Sequence, residues 1–208
     1  MSAFDIACLR LYFIAGSQNG SSPKAVLEVL ERALDEGITA FQWREKGKGS
    51  LEGSAKLNFG REAEFLCKKY GVPFIVNDDL DMALRLKADG LHLGQDDGNY
   101  ERALGKVGIL GVSAHDFSEI KAALKASYIG IGPVYPTKSK KDAKEALGLD
   151  FLREVRRKYP LLPFVAIGGL DQDKALACMR MGASGVAVIS AIFEDEDFIK
   201  NFLKGLEK

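Results

Sequence analysis

With 208 residues, 47% of them hydrophobic, the chain can bury one large core, and no linker or low-complexity tract divides it. The 29 basic residues balance 29 acidic ones, which excludes a general field drawing nucleic acid or an anionic membrane surface, so any phosphate binding must be local. Three cysteines, Cys8, Cys67 and Cys178, lie far apart without Cys-x-x-Cys spacing, which argues against a disulfide framework or a zinc site.

The stretch from Met1 to Gly16 is broken by Asp5 and Arg10 and lacks a signal-peptide layout, and no apolar run reaches membrane-spanning length. The expectation is a soluble, cytoplasmic protein of one domain, residues 1–208. Its oligomeric state is open, a homo-oligomer included.

In chain order, Leu11 to Ala15 reads as a buried strand, and Pro23 suits the first turn of a helix running to about Glu36 that Gly37 closes. Ile38 to Gln42 is a second strand, followed by a helix from about Leu51 to Tyr70. Pro73 to Asn77 is an apolar run that stops in Asp78 and Asp79, and Leu80, Ala83, Leu84 and Ala88 then recur at helical spacing. The segment Asp89 to Asp97 is a fourth strand that again ends in carboxylates, Asp96 and Asp97. A short helix near Tyr100 to Leu104 precedes a strand over Val107 to Ser113, a helix over Asp116 to Lys125, and a strand over Tyr128 to Ile131. The loop from Gly132 past Lys140 leads to a helix over Leu149 to Lys158. Phe164 to Gly169 is a strand and turn, Gln172 to Met181 a helix, Gly185 to Ser190 the last strand, and about Ala191 to Leu206 one final helix.

Eight apolar strands alternating with eight helices predict an α/β fold, a compact (β/α)8 TIM barrel, with an open doubly wound sheet as the competitor. In such a barrel the site lies at the C-terminal strand ends. There the sequence collects Gln42, Arg44 and Lys46, then Asn77 and Asp78, Gln95 and Asp97, Ser113 and His115, and Thr137, Ser139 and Lys140. A strand, crossover helix and parallel strand bring Asp78 and Asp97 to one sheet edge, about 4.8 Å apart if the strands are neighbours. The pair suits Mg²⁺ completed by water and phosphate oxygens, or else two helix caps. Gly168 and Gly169 with Ile189 and Ser190 match a phosphate site of backbone N–H groups, although tight turns need glycine anyway and Ser190 could be only a cap. Lys138 lies in the same loop as Lys140 and would steer anions inward. His92, inside a strand, reads as a hydrogen-bonded core histidine, and His115 stays open. No Ser/His/Asp or Cys/His arrangement is visible, so no covalent enzyme intermediate is expected.

Gln42-Trp-Arg-Glu-Lys46, Asn77-Asp78-Asp79, Asp89-Gly-Leu-His-Leu-Gly-Gln-Asp-Asp97, Gly111-Val-Ser-Ala-His115, Gly132-Pro-Val-Tyr-Pro-Thr-Lys-Ser-Lys140, Ala166-Ile-Gly-Gly169 and Gly185-Val-Ala-Val-Ile-Ser190 together resemble the motifs of the thiamine phosphate synthases. The resemblance implies a Mg²⁺-dependent transferase with two small phosphorylated substrates and neither nucleic acid nor membrane as partner. It would couple 4-amino-2-methyl-5-(diphosphooxymethyl)pyrimidine with 4-methyl-5-(2-phosphoethyl)thiazole or its carboxylate, releasing diphosphate, through a pyrimidine cation. On that resemblance Gln42, Trp43, Arg44, Glu45, Lys46, Asn77, Ser113 and Lys140 hold the pyrimidine diphosphate, with Arg44, Lys46, Ser113 and Lys140 acting in catalysis. Asp78 and Asp97 bind the metal, and Thr137, Lys138, Ser139, Gly169, Ile189 and Ser190 hold the thiazole phosphate. Trp43 departs from the Leu or Phe of the pattern, and Ser139 from its usual Thr. A thiazole tautomerase of the same family and a phosphate-ligand sensor are the competing readings.

Overall fold

A computed structural model describes residues 4–95, 100–137 and 144–207. Eight strands form one closed barrel in sequence order: β1 (Leu11–Ala15), β2 (Ala40–Trp43), β3 (Phe74–Asn77), β4 (Gly90–Leu93), β5 (Ile109–Ala114), β6 (Tyr128–Ile131), β7 (Phe164–Ile167) and β8 (Gly185–Val188). Every neighbouring pair is parallel, and β8 closes onto β1 with Leu11 opposite Val186, which excludes the open doubly wound sheet. Between the strands run α1 (Pro23–Glu36), α2 (Gly53–Tyr70), α3 (Leu80–Leu86), α4 (Tyr100–Ala103), α5 (Phe117–Ala122), α6 (Gly148–Lys158) and α7 (Gln172–Arg180), with α8 (Ala191–Glu194) and α9 (Phe198–Leu206) after β8. No helix of the described residues is long and apolar enough to cross a membrane.

Local chemistry explains the helix ends. Ser22 accepts a hydrogen bond from the Ala25 N–H at 3.1 Å, Pro23 occupies the first turn, and Gly37 ends α1 with φ 107°. The one long final helix expected from the sequence is instead two, α8 and α9. Asp195 is extended, and its carboxylate accepts from the Asp197 N–H at 3.0 Å, so a local side-chain bond replaces the next helical turn.

The alternation of each strand sends one set of side chains into the lumen and the other toward the helices. The outer layer holds Phe13, Phe41, Trp43, Phe74 and Phe164 together with the inner faces of the helices. Trp43, fully buried, packs on Phe59 and Phe74 with ring centroids 6.3 and 6.2 Å away. Its indole lies where Gly60 of α2 leaves room: a Cβ there would come within 2.7 Å of the ring. The lumen is closed at its N-terminal end by a 3-10 turn, Ile6–Leu9, and by Phe4 stacked 6.5 Å from Tyr128. Above that plug the lumen turns polar, with Tyr12, Gln42, His92 and Tyr128 meeting at its centre.

Candidate active site

The C-terminal ends of the strands surround a cavity of about 1100 Å³ lined from β2 round to β8. Arg44, Lys46, Asn77, Asp78, Ser113, His115, Thr137, Gly169, Ile189 and Ser190 all border it. A smaller side pocket of about 540 Å³ shares Lys46, Asn77 and Asp78 and runs between β3 and α4. The expected rim residues Asp97, Lys138, Ser139 and Lys140 lie outside the described residues.

At the end of β2 successive side chains diverge. Gln42 points into the lumen, 2% exposed, and its Nε2 donates to the Tyr12 hydroxyl at 3.0 Å, below the cavity. Trp43 points outward into the helix layer. Arg44 returns to the cavity side, its backbone pinned by the Ala15 carbonyl at 2.9 Å and by the Gln18 amide, which donates to the Arg44 carbonyl at 2.8 Å. Glu45 is committed to the scaffold: its carboxylate accepts from the Ser17 N–H at 3.0 Å, the Ser17 hydroxyl, the Leu51 N–H at 2.6 Å and the Trp43 indole at 3.2 Å. One side chain thus ties the β1 and β2 loops together and sets the direction in which Arg44 and Lys46 leave the strand. The sequence signal for this role, a carboxylate between two cations, is indistinguishable from that of a substrate contact.

Neighbouring β3 and β4 end at the same edge, where the Asp78 N–H donates to the His92 carbonyl at 2.8 Å. Asp78 has φ 65°, a left-handed conformation rare outside glycine, and borders the cavity. Lys46 donates to its Oδ2 at 2.8 Å. Asp79 serves the scaffold, accepting from the Met82 N–H at 2.9 Å as the cap of α3 and pairing with Lys56 at 3.3 Å.

Among the described residues lining the cavity, Lys46, Lys144 and Lys174 face Asp78, Glu119 and Asp171 in ion pairs, whereas Arg44 has no carboxylate partner. The hydrogen bond from Lys174 holds the Asp171 carboxyl below its ordinary range and raises the lysine in turn. Glu119, which in sequence is one helix carboxylate among many, accepts from the His115 N–H at 2.6 Å and pairs with Lys144 at 3.0 Å. His115 itself borders the cavity with Nδ1 3.2 Å from the Gly132 carbonyl.

On the far side, the residues after β6 lie directly on the β7 turn. Val134 and Tyr135 donate to the carbonyls of Ile167 and Gly168 at 2.8 and 3.1 Å, and a Cβ on Gly169 would come within 2.5 Å of the Pro136 carbonyl oxygen. The glycine pair, with φ 101° and 65°, therefore answers a packing need as well as any ligand. Ser190 makes no capping bond with its side chain, and the helix behind it is only four residues long. Its dipole is correspondingly small, leaving hydroxyl and backbone groups as the anion-binding chemistry there.

No group of three or more His, Cys, Asp or Glu that could cage a metal exists among the described residues. At the end of β3 the cavity presents the Asp78 carboxylate beside Asn77, apart from Glu119 and Asp171, which pair with lysines. That set fits a hard cation such as Mg²⁺, which takes one or two carboxylates and completes its shell with water and phosphate oxygens.

The model of a family described as thiamine monophosphate synthase matches residues 11–192. A Geobacillus kaustophilus protein named thiamine-phosphate synthase is 53% identical over 188 residues, covering 88% of this chain and 84% of that protein. A Bacillus velezensis protein of the same name is 48% identical over 193 residues, covering 91% and 85%. Among solved structures, thiamine phosphate pyrophosphorylase from Pyrococcus furiosus superposes with a TM-score of 0.84 at 33% identity, covering 97% of both chains.

Proposed function

Because the chain belongs to the thiamine monophosphate synthase family, and so is a transferase, we propose that its cavity couples an aminopyrimidine methyl diphosphate to a thiazole ethyl phosphate. The observation that carries this reading is Arg44: a cation at the mouth, its backbone hydrogen-bonded to Ala15 and Gln18 and its side chain without a carboxylate partner among the described residues, is available to an anionic substrate. The relatives are named as synthases, which favours coupling over tautomerisation.

In the reaction the C–O bond to the diphosphate breaks with its electron pair, and the thiazole nitrogen lone pair closes a C–N bond on the resulting pyrimidine cation. Negative charge grows on the departing oxygens, so Arg44, Lys46 and Lys140 aimed there bind the transition state more tightly than the ground state. Bound Mg²⁺, held by Asp78 and Asp97, would supply further charge neutralisation to the leaving group. Asn77 and Ser113 would orient the pyrimidine diphosphate, with Gln42 and Glu45 acting from beneath. Thr137, Lys138, Ser139, Gly169, Ile189 and Ser190 would hold the thiazole phosphate across the mouth. No step needs a base on the protein. The chain's remaining contribution is to align two reactants and keep water from the cation.

The test is to incubate the protein with both substrates and Mg²⁺ and to follow thiamine phosphate and diphosphate. Lys140→Ala should slow coupling far more than it weakens thiazole phosphate binding. An effect confined to thiazole affinity would exchange the two subsites, and no product at all would overturn the reading.

A further inference from the structure

Five polar side chains form one continuous hydrogen-bonded line through the centre of the barrel. The Gln42 amide donates to the Tyr12 hydroxyl at 3.0 Å, the Tyr12 and Tyr128 hydroxyls lie 2.8 Å apart, and Tyr128 is 2.9 Å from His92 Nδ1. His92 Nε2 is 2.9 Å from Ser113 Oγ, which borders the cavity. The first four residues are buried, and the strands make room for them: a Cβ on Gly111 would collide with the Tyr128 ring and come within 2.5 Å of His92 Nδ1. A glycine inside a strand weakens it, so the space it leaves is there for a close neighbour.

We propose that this line is a positioning device: the Gln42 amide sets its polarity, His92 is held as the Nε2–H tautomer, and Ser113 is thereby made a hydrogen-bond donor toward the ligand. The reasoning is a count of protons. Among the described residues the Tyr12 hydroxyl meets two groups, Gln42 and Tyr128; since the Gln42 N–H can only donate, Tyr12 satisfies its own proton by donating to Tyr128. Tyr128 then donates to Nδ1, which must be the bare nitrogen. Nε2 carries the proton and donates to Ser113 Oγ. The Ser113 hydroxyl has no other side-chain partner among the described residues, so its proton is directed at the cavity. With the amide nitrogen of Gln42 facing Tyr12, any other arrangement leaves a buried hydroxyl proton unpaired, which is costly; only an acceptor in its place would let the whole line run the other way. Burial also raises both phenols above their ordinary range, keeping them as donors.

The inference deepens the proposed function, on which its ligand side rests: Ser113 should read an acceptor atom of the pyrimidine diphosphate, a ring nitrogen or phosphate oxygen, and not its amino group. His92 and Tyr128 act through Ser113 and are positioning residues.

The chain has two histidines, so ¹⁵N-histidine labelling yields two ring spectra, and His115→Gln assigns the one from His92. The expected result is the Nε2–H tautomer in the unaltered protein and the Nδ1–H tautomer in Gln42→Glu, whose carboxylate can only accept and so reverses every bond. An Nδ1–H tautomer or an imidazolium in the unaltered protein, or no change in Gln42→Glu, overturns the proposal. If Gln42→Glu does not fold, Tyr128→Phe decides instead: the His92 spectrum should lose its single tautomer, and kcat for coupling should fall about tenfold, the worth of one hydrogen bond, with KM for the thiazole phosphate unchanged. An unmoved kcat and an unmoved spectrum would remove the positioning role. Absence of coupling in the unaltered protein would sink the proposed function while the tautomer measurement still decides the polarity.

Discussion

Lys46 and Asp78 meet at 2.8 Å across the ends of β2 and β3, joining a cation and a carboxylate that the proposed reaction would use separately. Lys46 is 45% exposed, and an ion pair of this kind contributes roughly 0–1 kcal/mol, so a diphosphate can take the ammonium from it at little cost. Asp78→Asn, which keeps a side chain that tolerates the left-handed backbone, should therefore leave stability within about 1 kcal/mol while lowering coupling about 10²-fold or more, as loss of a metal clamp would. Thermal unfolding and steady-state kinetics separate the two. Chelation should abolish turnover and Mg²⁺ restore it; full activity in chelator would remove the metal from the mechanism.

Glu45 accepts from four donors on three segments, and its truncation strands several of them. Glu45→Ala should cost about 2 kcal/mol, lowering Tm by about 4–8 °C for a chain of this length, and should misdirect Arg44. Calorimetry checks the first effect, and a raised KM for the pyrimidine diphosphate checks the second.

Gly111→Ala forces a methyl group between Tyr128 and His92, where the rigid barrel can yield little. Overpacking of this kind costs about 1–3 kcal/mol or more. Gly105→Ala is a poor control because φ there is 74°, so Ala122→Gly in α5, with an expected loss of about 1 kcal/mol, is the better reference in denaturant titrations.

The three thiols carry a pH dependence. Burial pushes Cys8 up to about 11 and Cys178 up to about 12 from an ordinary 9.0, and raises Cys67 as well. The folded state therefore keeps these protons after the unfolded chain has released them, so ν_U − ν_N is negative and stability falls with rising pH. The loss should begin near pH 9 and continue to about 11 to 12, read as a falling denaturant midpoint. Native thiols should also react slowly with a disulfide reagent at pH 8 and quickly once unfolded.

The barrel was legible in the sequence because its signals are local. Apolar runs of strand length, glycines such as Gly37 and Gly71 at helix ends, and Pro23 at a helix start act within a few residues, and β1, α1 and β6 stand where those signals put them. The rim was legible for the same reason, since whatever follows an apolar strand in such a barrel reaches the mouth. Where a local polar bond competed with a helical turn, as at Asp195, the pattern alone ran on through the break.

Which rim residues face the cavity was a tertiary decision. Glu45 and Lys46 are adjacent and equally polar, yet one is spent on Ser17 and Leu51, 28 and 6 residues away, while the other reaches Asp78. The line from Gln42 to Ser113 draws on five different strands, brought together only when the sheet closes. Period and composition act over a turn or a strand; the pairing of buried protons is set by which side chains the closed barrel places within 3 Å of each other, and that is a property of the whole ring.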